Sequence, residues 1–132
     1  MVRELLTKWN EENLEWVFTD LVKCYVCKKG KEAYENNFKK AQNYCGNYLK
    51  AQIEILKPKV ILCFGNEAYR YVMLNINGVE EGTMQKGIHG NLYSAPDKIP
   101  VVFSYHPTQN NANIWVRYKG WDPVNNAVMS QL

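Results

Sequence analysis

No stretch of this sequence comes near the roughly 20 consecutive apolar residues that a membrane-spanning helix needs. Nor is Met1-Val2-Arg3 followed by the apolar region of a secretion signal. Both absences point to a cytoplasmic protein with no membrane partner. Net charge is also scarce: 16 basic against 13 acidic side chains leave +3, too little to demand a nucleic-acid partner by itself. Repeats, low-complexity runs and a linker are missing. A chain of 132 residues suits one domain spanning residues 1–132, which at this size hides about two thirds of its unfolded surface. Nothing in the pattern fixes an oligomeric state. Cysteines number four, and in a cytoplasmic setting disulfides between them are not expected.

What is present is an alternation of periodicities. Residues 4–12 put Leu5, Leu6 and Trp9 on one helical face, and residues 15–23 are rich in the β-branched and aromatic types that favour strands. Lysines and Gly30 then mark a loop. From Tyr34 to Leu56 the stripe Tyr34, Phe38, Ala41, Cys45, Tyr48, Leu49, Gln52, Ile53, Leu56 keeps near-helical spacing until Pro58 stops it. Residues 60–64 form an unbroken apolar run, the mark of a strand covered on both faces. Gly65 turns the chain, and Asn66 is placed to cap a helix carrying Tyr69, Val72 and Met73. Residues 78–100 hold four glycines and two prolines, with an irregular hairpin expected around Gly90 to Ser94. A strand follows at residues 99–105, then an Asn-rich loop, then Asp122-Pro123 as cap and first residue of a last helix. With right-handed crossovers these pieces predict an α/β fold, a three-layer α/β/α sandwich on a largely parallel central sheet. Residues 17–22, 60–64 and 99–105 would be its interior strands, with Asp20 and His106 opening on one edge.

Three segments in this order carry the chemistry: FTDLVKC (residues 18–24), a Cys45 helix leading into PKVILCFGNEA (58–68), and IPVVFSY (99–105) delivering His106-Pro107-Thr108. Open α/β sheets bind ligands at the carboxyl ends of their strands, which is where Asp20 and His106 would fall. The ordered set resembles the uracil-DNA glycosylase superfamily, and most nearly its iron-sulfur members. Those carry a TN-V-V-K-C strand, a Cys-x-x-Tyr/Phe-Leu helix, a PK-V-I-V-x-LG-x-x-A strand-turn-helix and a terminal HPS or HPA loop. The resemblance covers roughly residues 4–108, and the combination rather than any one piece is specific.

The resemblance implies base excision, in which a base is flipped from the stack into a pocket and read on its Watson-Crick edge. It assigns His106 the catalytic hydrogen bond to the uracil carbonyl as negative charge builds on the departing base, and it puts Asp20, Pro107 and Thr108 in the substrate site. The bland alternative for His106 is a histidine packed at a strand end, with Pro107 ending the ladder. Asp20 stands where the family usually has asparagine. An amide offers a donor and an acceptor, whereas an ionised carboxylate only accepts, so Asp20 sets acceptor against acceptor at a uracil carbonyl. It would suit an exocyclic amine, or act as an amide mimic when protonated, or simply bond a nearby lysine or backbone group. The resemblance further implies a central strand and a Gly-rich, Pro-containing loop ahead of the first helix, and neither is seen before Glu4. A natural truncation, a divergent short member and a piece of a larger enzyme all stay open. So do two functions, excision of a flipped base and a catalytically inactive module of the same fold that binds nucleic acid or protein.

Cys24 and Cys45 align with the family's second pair of cluster ligands, and the first pair belongs to the missing amino-terminal motif. No cofactor is expected of the chain as it stands; an iron-sulfur cluster would need two further cysteines. Cys27 follows Cys24 at CxxC spacing, while Cys63 lies mid-strand, where a free cysteine behaves as a small apolar residue. Residues 21–60 hold nine lysines against three glutamates. Of these, Lys23, Lys28, Lys29 and Lys31 are candidate phosphate contacts to DNA, with Tyr25, Tyr34, Phe38 and Tyr44 interleaved as stacking groups. A solvated helix face is the plainer reading. The loop TQNNAN (108–113) occupies the family's DNA-insertion position without an apolar wedge. His89 is expected to be an ordinary loop residue.

Overall fold

Strand β3, Val101–Ser104, organises what surrounds it: all four of its residues are buried. The computed structural model describes residues 2–22, 30–106 and 120–132, with the backbone alone for residues 31–34. These fall into two compact units, Met1–Glu15 with Pro58–Leu132, and Trp16–Lys57.

In the first unit β3 is the middle of three strands, in the order β1-β3-β2, with β1 at Ile61–Phe64 and β2 at Leu92–Tyr93. β1 runs parallel to β3, pairing Ile61 with Val101 and Phe64 with Ser104. β2 runs antiparallel, pairing Leu92 with Val102. Alternate side chains of a strand face opposite ways, and β3 uses both sides. Val101 and Phe103 pack with Cys63 and with Tyr69, Val72 and Met73. These last three lie on α3 (Asn66–Tyr71) and on a wider π turn, Val72–Ile76, that continues it. Val102 instead packs with Leu5 and Trp9 of α1 (Val2–Glu11) and with Val124 and Val128 near the chain's end. Those two lie on Asp122–Met129, named α4 below, which has proline in its first turn. Trp9 donates its indole N–H to Asn125 Oδ1 at 2.9 Å, so the polar handle of a buried tryptophan is satisfied. Asn77, also buried, bonds both the N–H (3.1 Å) and the C=O (2.9 Å) of Ile99, acting as a one-residue strand partner at the entrance to β3.

The helices at 4–12 and 122 onward, the strands at 60–64 and 99–105, and the hairpin near Gly90 emerge close to where the pattern put them. One detail differs at α3: Gly65, at φ +87°, occupies the cap and Asn66 is the first helical residue, without a side-chain capping bond. The sheet, expected to be largely parallel, is mixed among the described residues, with one parallel and one antiparallel pair.

In the second unit α2 runs Lys31–Leu56 and ends at Lys57, whose left-handed φ of 46° lets its N–H reach Ile53 O at 2.9 Å. The following Pro58 disfavours a helical residue before it. The buried stripe is narrower than the pattern: Cys45 and Leu49 are buried, whereas Tyr48 and Leu56 are exposed. A larger correction concerns residues 17–22, expected to form an interior strand. They form none, and Val17 and Phe18 are 64% and 56% exposed. Strand-favouring composition records a fit to a half-buried pleated surface, and no strand pairs with this segment among the described residues. No described helix is long and apolar enough to cross a membrane.

Candidate functional site at the carboxyl edge of the sheet

Parallel pairing puts the carboxyl ends of β1 and β3 on one edge, and the polar groups gather there. β1 ends into Gly65, whose N–H bonds Ser104 O at 2.8 Å and so carries the ladder one step past the strand. β3 ends into Tyr105 and His106. A side chain at Gly65 would stand 3.7 Å from His106 Cβ and 3.8 Å from its Cδ2, so the histidine ring lies directly beside the turn. With φ at +87° that turn favours glycine. His106 itself is exposed. The chemistry of the edge is that of an accessible imidazole, rooted in a fully buried strand, that can donate a hydrogen bond to a ligand.

Behind it lies His89, the residue missed by sequence reasoning. It is 6% exposed. Its Nε2 donates to Gly120 O at 2.7 Å, and its Nδ1 accepts the Tyr105 N–H at 3.2 Å. The ring is stacked on Tyr105, centroids 5.4 Å apart and planes 4° from parallel, and tilts against Trp121 at 6.4 Å. Trp121 in turn meets Phe64 edge to face at 6.1 Å. The signal available in the sequence was the pair of glycines at 87 and 90 around this histidine.

Asp20 is exposed and belongs to the other compact unit, where its neighbour Thr19 donates to Gln52 Oε1 at 2.9 Å. Pro107, Thr108, Lys23, Lys28, Lys29, Cys24 and Cys27 lie outside the described residues, and Lys31 is the first residue of α2. Cys45 and Cys63 are both buried thiols. Burial pushes the Cys63 thiol up from 9.0 to about 12, so it stays protonated and is a poor metal ligand. Among the described residues no group of three or more His, Cys, Asp or Glu side chains converges as a metal site. The described cysteines therefore do not fit an iron-sulfur cluster by themselves.

The family model for the uracil DNA glycosylase superfamily matches residues 1–120, and the chain belongs to that superfamily. It is 33% identical over 66 residues to the Type-4 uracil-DNA glycosylase of Archaeoglobus fulgidus, a match covering 48% of this chain and 32% of the relative. The chain thus matches about a third of that protein's length. No solved structure matches significantly.

Proposed function

We propose that this chain is a uracil-DNA glycosylase-like base-excision protein, in which His106 supplies the hydrogen bond that stabilises the leaving base. The observation that carries the reading is the exposed His106 beside the Gly65 turn, at the end of buried β3, in a chain of this superfamily. In the reaction the bond between the sugar C1′ and the base nitrogen breaks with its electrons going to the base. Water supplies hydroxide to C1′ and a proton to the base. Negative charge gathers on the base carbonyl oxygen, and a donor aimed at such charge is worth about 2.7–4 kcal/mol.

The packing of helical residues against both sides of β3 supports a three-layer α/β/α arrangement with this edge as the base pocket. Asp20, Pro107 and Thr108 are the residues that the family resemblance assigns to substrate binding in this reading. Lys23, Lys28, Lys29 and Lys31 follow the phosphates of DNA. Cys24 and Cys45 are the pair this chain would give an iron-sulfur cluster, with two thiolates coming from elsewhere. The protein acts in the cytoplasm, with no membrane partner.

Asp20 sets the expected rate. A carboxylate facing a uracil carbonyl leaves both acceptors unpaired, and desolvating them is costly, so excision of uracil is slow. The test is alkaline strand cleavage of a uracil-containing oligonucleotide, single- and double-stranded, after incubation with the whole chain. Weak cleavage, reduced about a hundredfold or more by His106→Ala and raised by Asp20→Asn, is the expected result. No cleavage by either the wild type or Asp20→Asn would favour the second reading, a binding module of the same fold or a piece of a larger glycosylase, which the partial coverage of the relative favours.

A further inference from the structure

His89 is held by a loop built to push it into the sheet. Gly90 donates its N–H to Phe103 O at 2.8 Å, while Phe103 N–H bonds Asn91 O at 3.1 Å. Two residues thus face one, a bulge with Gly90 in the left-handed conformation at φ +83°. The backbone approaches closely on both sides of the histidine. A Cβ at Gly87 would stand 2.6 Å from Phe103 ring carbons, and one at Gly90 would stand 2.5 Å from Pro123 Cβ. Bulges re-aim side chains, and this one turns the backbone away from β3 just where the strand still needs a partner. Successive peptide groups of a strand point alternately to its two edges, so the Tyr105 N–H points to the same edge as that of Phe103. There His89 Nδ1 accepts it in place of a backbone carbonyl. Ser104 Oγ is 3.5 Å from Nδ1 but has one proton, which it gives to Tyr105 O at 3.0 Å.

We propose that His89 is the positioning residue of the site, latching the exit of β3 to Gly120 and so fixing the direction of His106. The latch needs one form of the ring. Gly120 O can only accept and the Tyr105 N–H can only donate, so the imidazole is neutral with its proton on Nε2. The two bonded points, Tyr105 and Gly120, stand one residue before His106 and one before Trp121. A single side chain therefore ties the strand that delivers the candidate donor to the entry of α4. The functional consequence rests on the base-excision reading of His106, whereas the latch is measurable without it.

The test uses the whole chain with 15N-labelled histidine. The wild type is expected to show His89 protonated at Nε2 and bare at Nδ1, and the opposite tautomer overturns the proposal. His89→Phe keeps the stack on Tyr105 and removes both bonds. Hydrogen exchange at the Tyr105 amide should then speed up about tenfold, and the His106 ring resonances should shift and broaden. His89→Asn, which returns an acceptor near the Nδ1 position, should restore much of the Tyr105 protection, and His89→Gln, which returns the donor toward Gly120, should not. Unchanged Tyr105 exchange and unchanged His106 resonances in a folded His89→Phe protein would sink the latch. Should that variant not fold, the wild-type tautomer and the Asn-against-Gln contrast decide. If the wild type excises uracil, His89→Phe should lower kcat about tenfold with little change in KM, and should add little to the loss already caused by His106→Ala. An unchanged kcat would refute positioning. A wild type without turnover refutes the excision reading and leaves the tautomer, exchange and resonance results to decide the latch.

Discussion

His106 and Asp20, the two polar residues that the order of motifs singles out, stand in regions built by opposite means. The segment leading to His106 is a strand with neighbours on both edges and apolar side chains packed against both faces. Its last amide is caught by a buried histidine. The segment leading to Asp20 has the composition of a strand, and yet its apolar side chains at 17 and 18 are open to solvent. A strand is a relation between segments, and composition supplies only one party to it. A side chain can be aimed only as firmly as the backbone beneath it is held. The carboxyl edge of β3 holds that backbone, whereas in residues 17–22 the side-chain contact of Thr19 with Gln52 takes the place of a strand partner among the described residues.

The sharpest way to break this contrast is to remove matched aromatic side chains. Phe103, 1% exposed at the centre of β3 and edge to face with Tyr69 at 5.3 Å, should cost about 3–5 kcal/mol as Phe103→Ala. Phe18→Ala should cost less than about 1 kcal/mol. Urea unfolding of the two variants measures both, and comparable losses would mean that residues 17–22 are as firmly packed as β3.

Two glycines with the same backbone angle make the next comparison. Gly30 and Gly90 both have φ +83°, but a Cβ at Gly30 meets no atom of the described residues within 4 Å, whereas at Gly90 it meets Pro123 at 2.5 Å. A backbone held at φ +83° costs a non-glycine residue on the order of 1–3 kcal/mol. Gly30→Ala should lose about that much, and Gly90→Ala about 1–3 kcal/mol more because of the overlap with Pro123. Equal losses would show that the bulge can relax and would weaken the case for a rigid His89.

A third contrast is read with pH. In the unfolded chain the Cys63 thiol ionises near 9.0, and burial in β1 raises that to about 12. Between those values the unfolded state has given up a proton that the folded state still holds, so stability falls as pH rises from about 9 toward 12. Tyr69 is raised too, by burial first and then by the nearby Cys63 and Tyr93, and it adds to the loss above 10.0. Denaturant midpoints should drop across this window, and Cys63→Ala should reduce the slope without abolishing it. At neutral pH the native protein should leave Cys63 unlabelled by thiol reagents. The smallest stability effect is expected at exposed Asp20. Asp20→Asn should shift unfolding by less than about 0.5 kcal/mol, so that any gain in uracil excision reads the acceptor mismatch and not the fold.

By itself the sequence determined the class of fold, the family resemblance and the place of a histidine just past the end of β3, because these rest on short-range regularities. Apolar runs, a proline stop after α2 and a histidine at the end of a strand all survive as printed in the chain. The span of α2 and the places of β1 and β3 were legible for the same reason. Tertiary structure alone decided which strand-like segment found a neighbour, so residues 17–22 stand outside the described sheet although their composition resembles that of β1. It also decided the direction of β2, the wide turn after α3 and the narrowing of the α2 stripe to Cys45 and Leu49. Its largest decision was His89. A histidine between two glycines reads as a loop, and only the approach of that loop to Phe103 and Pro123 makes it a buried acceptor for Tyr105. The physical reason is common to all of these: local propensity is written residue by residue, whereas hydrogen bonds and burial are settled between segments tens of residues apart.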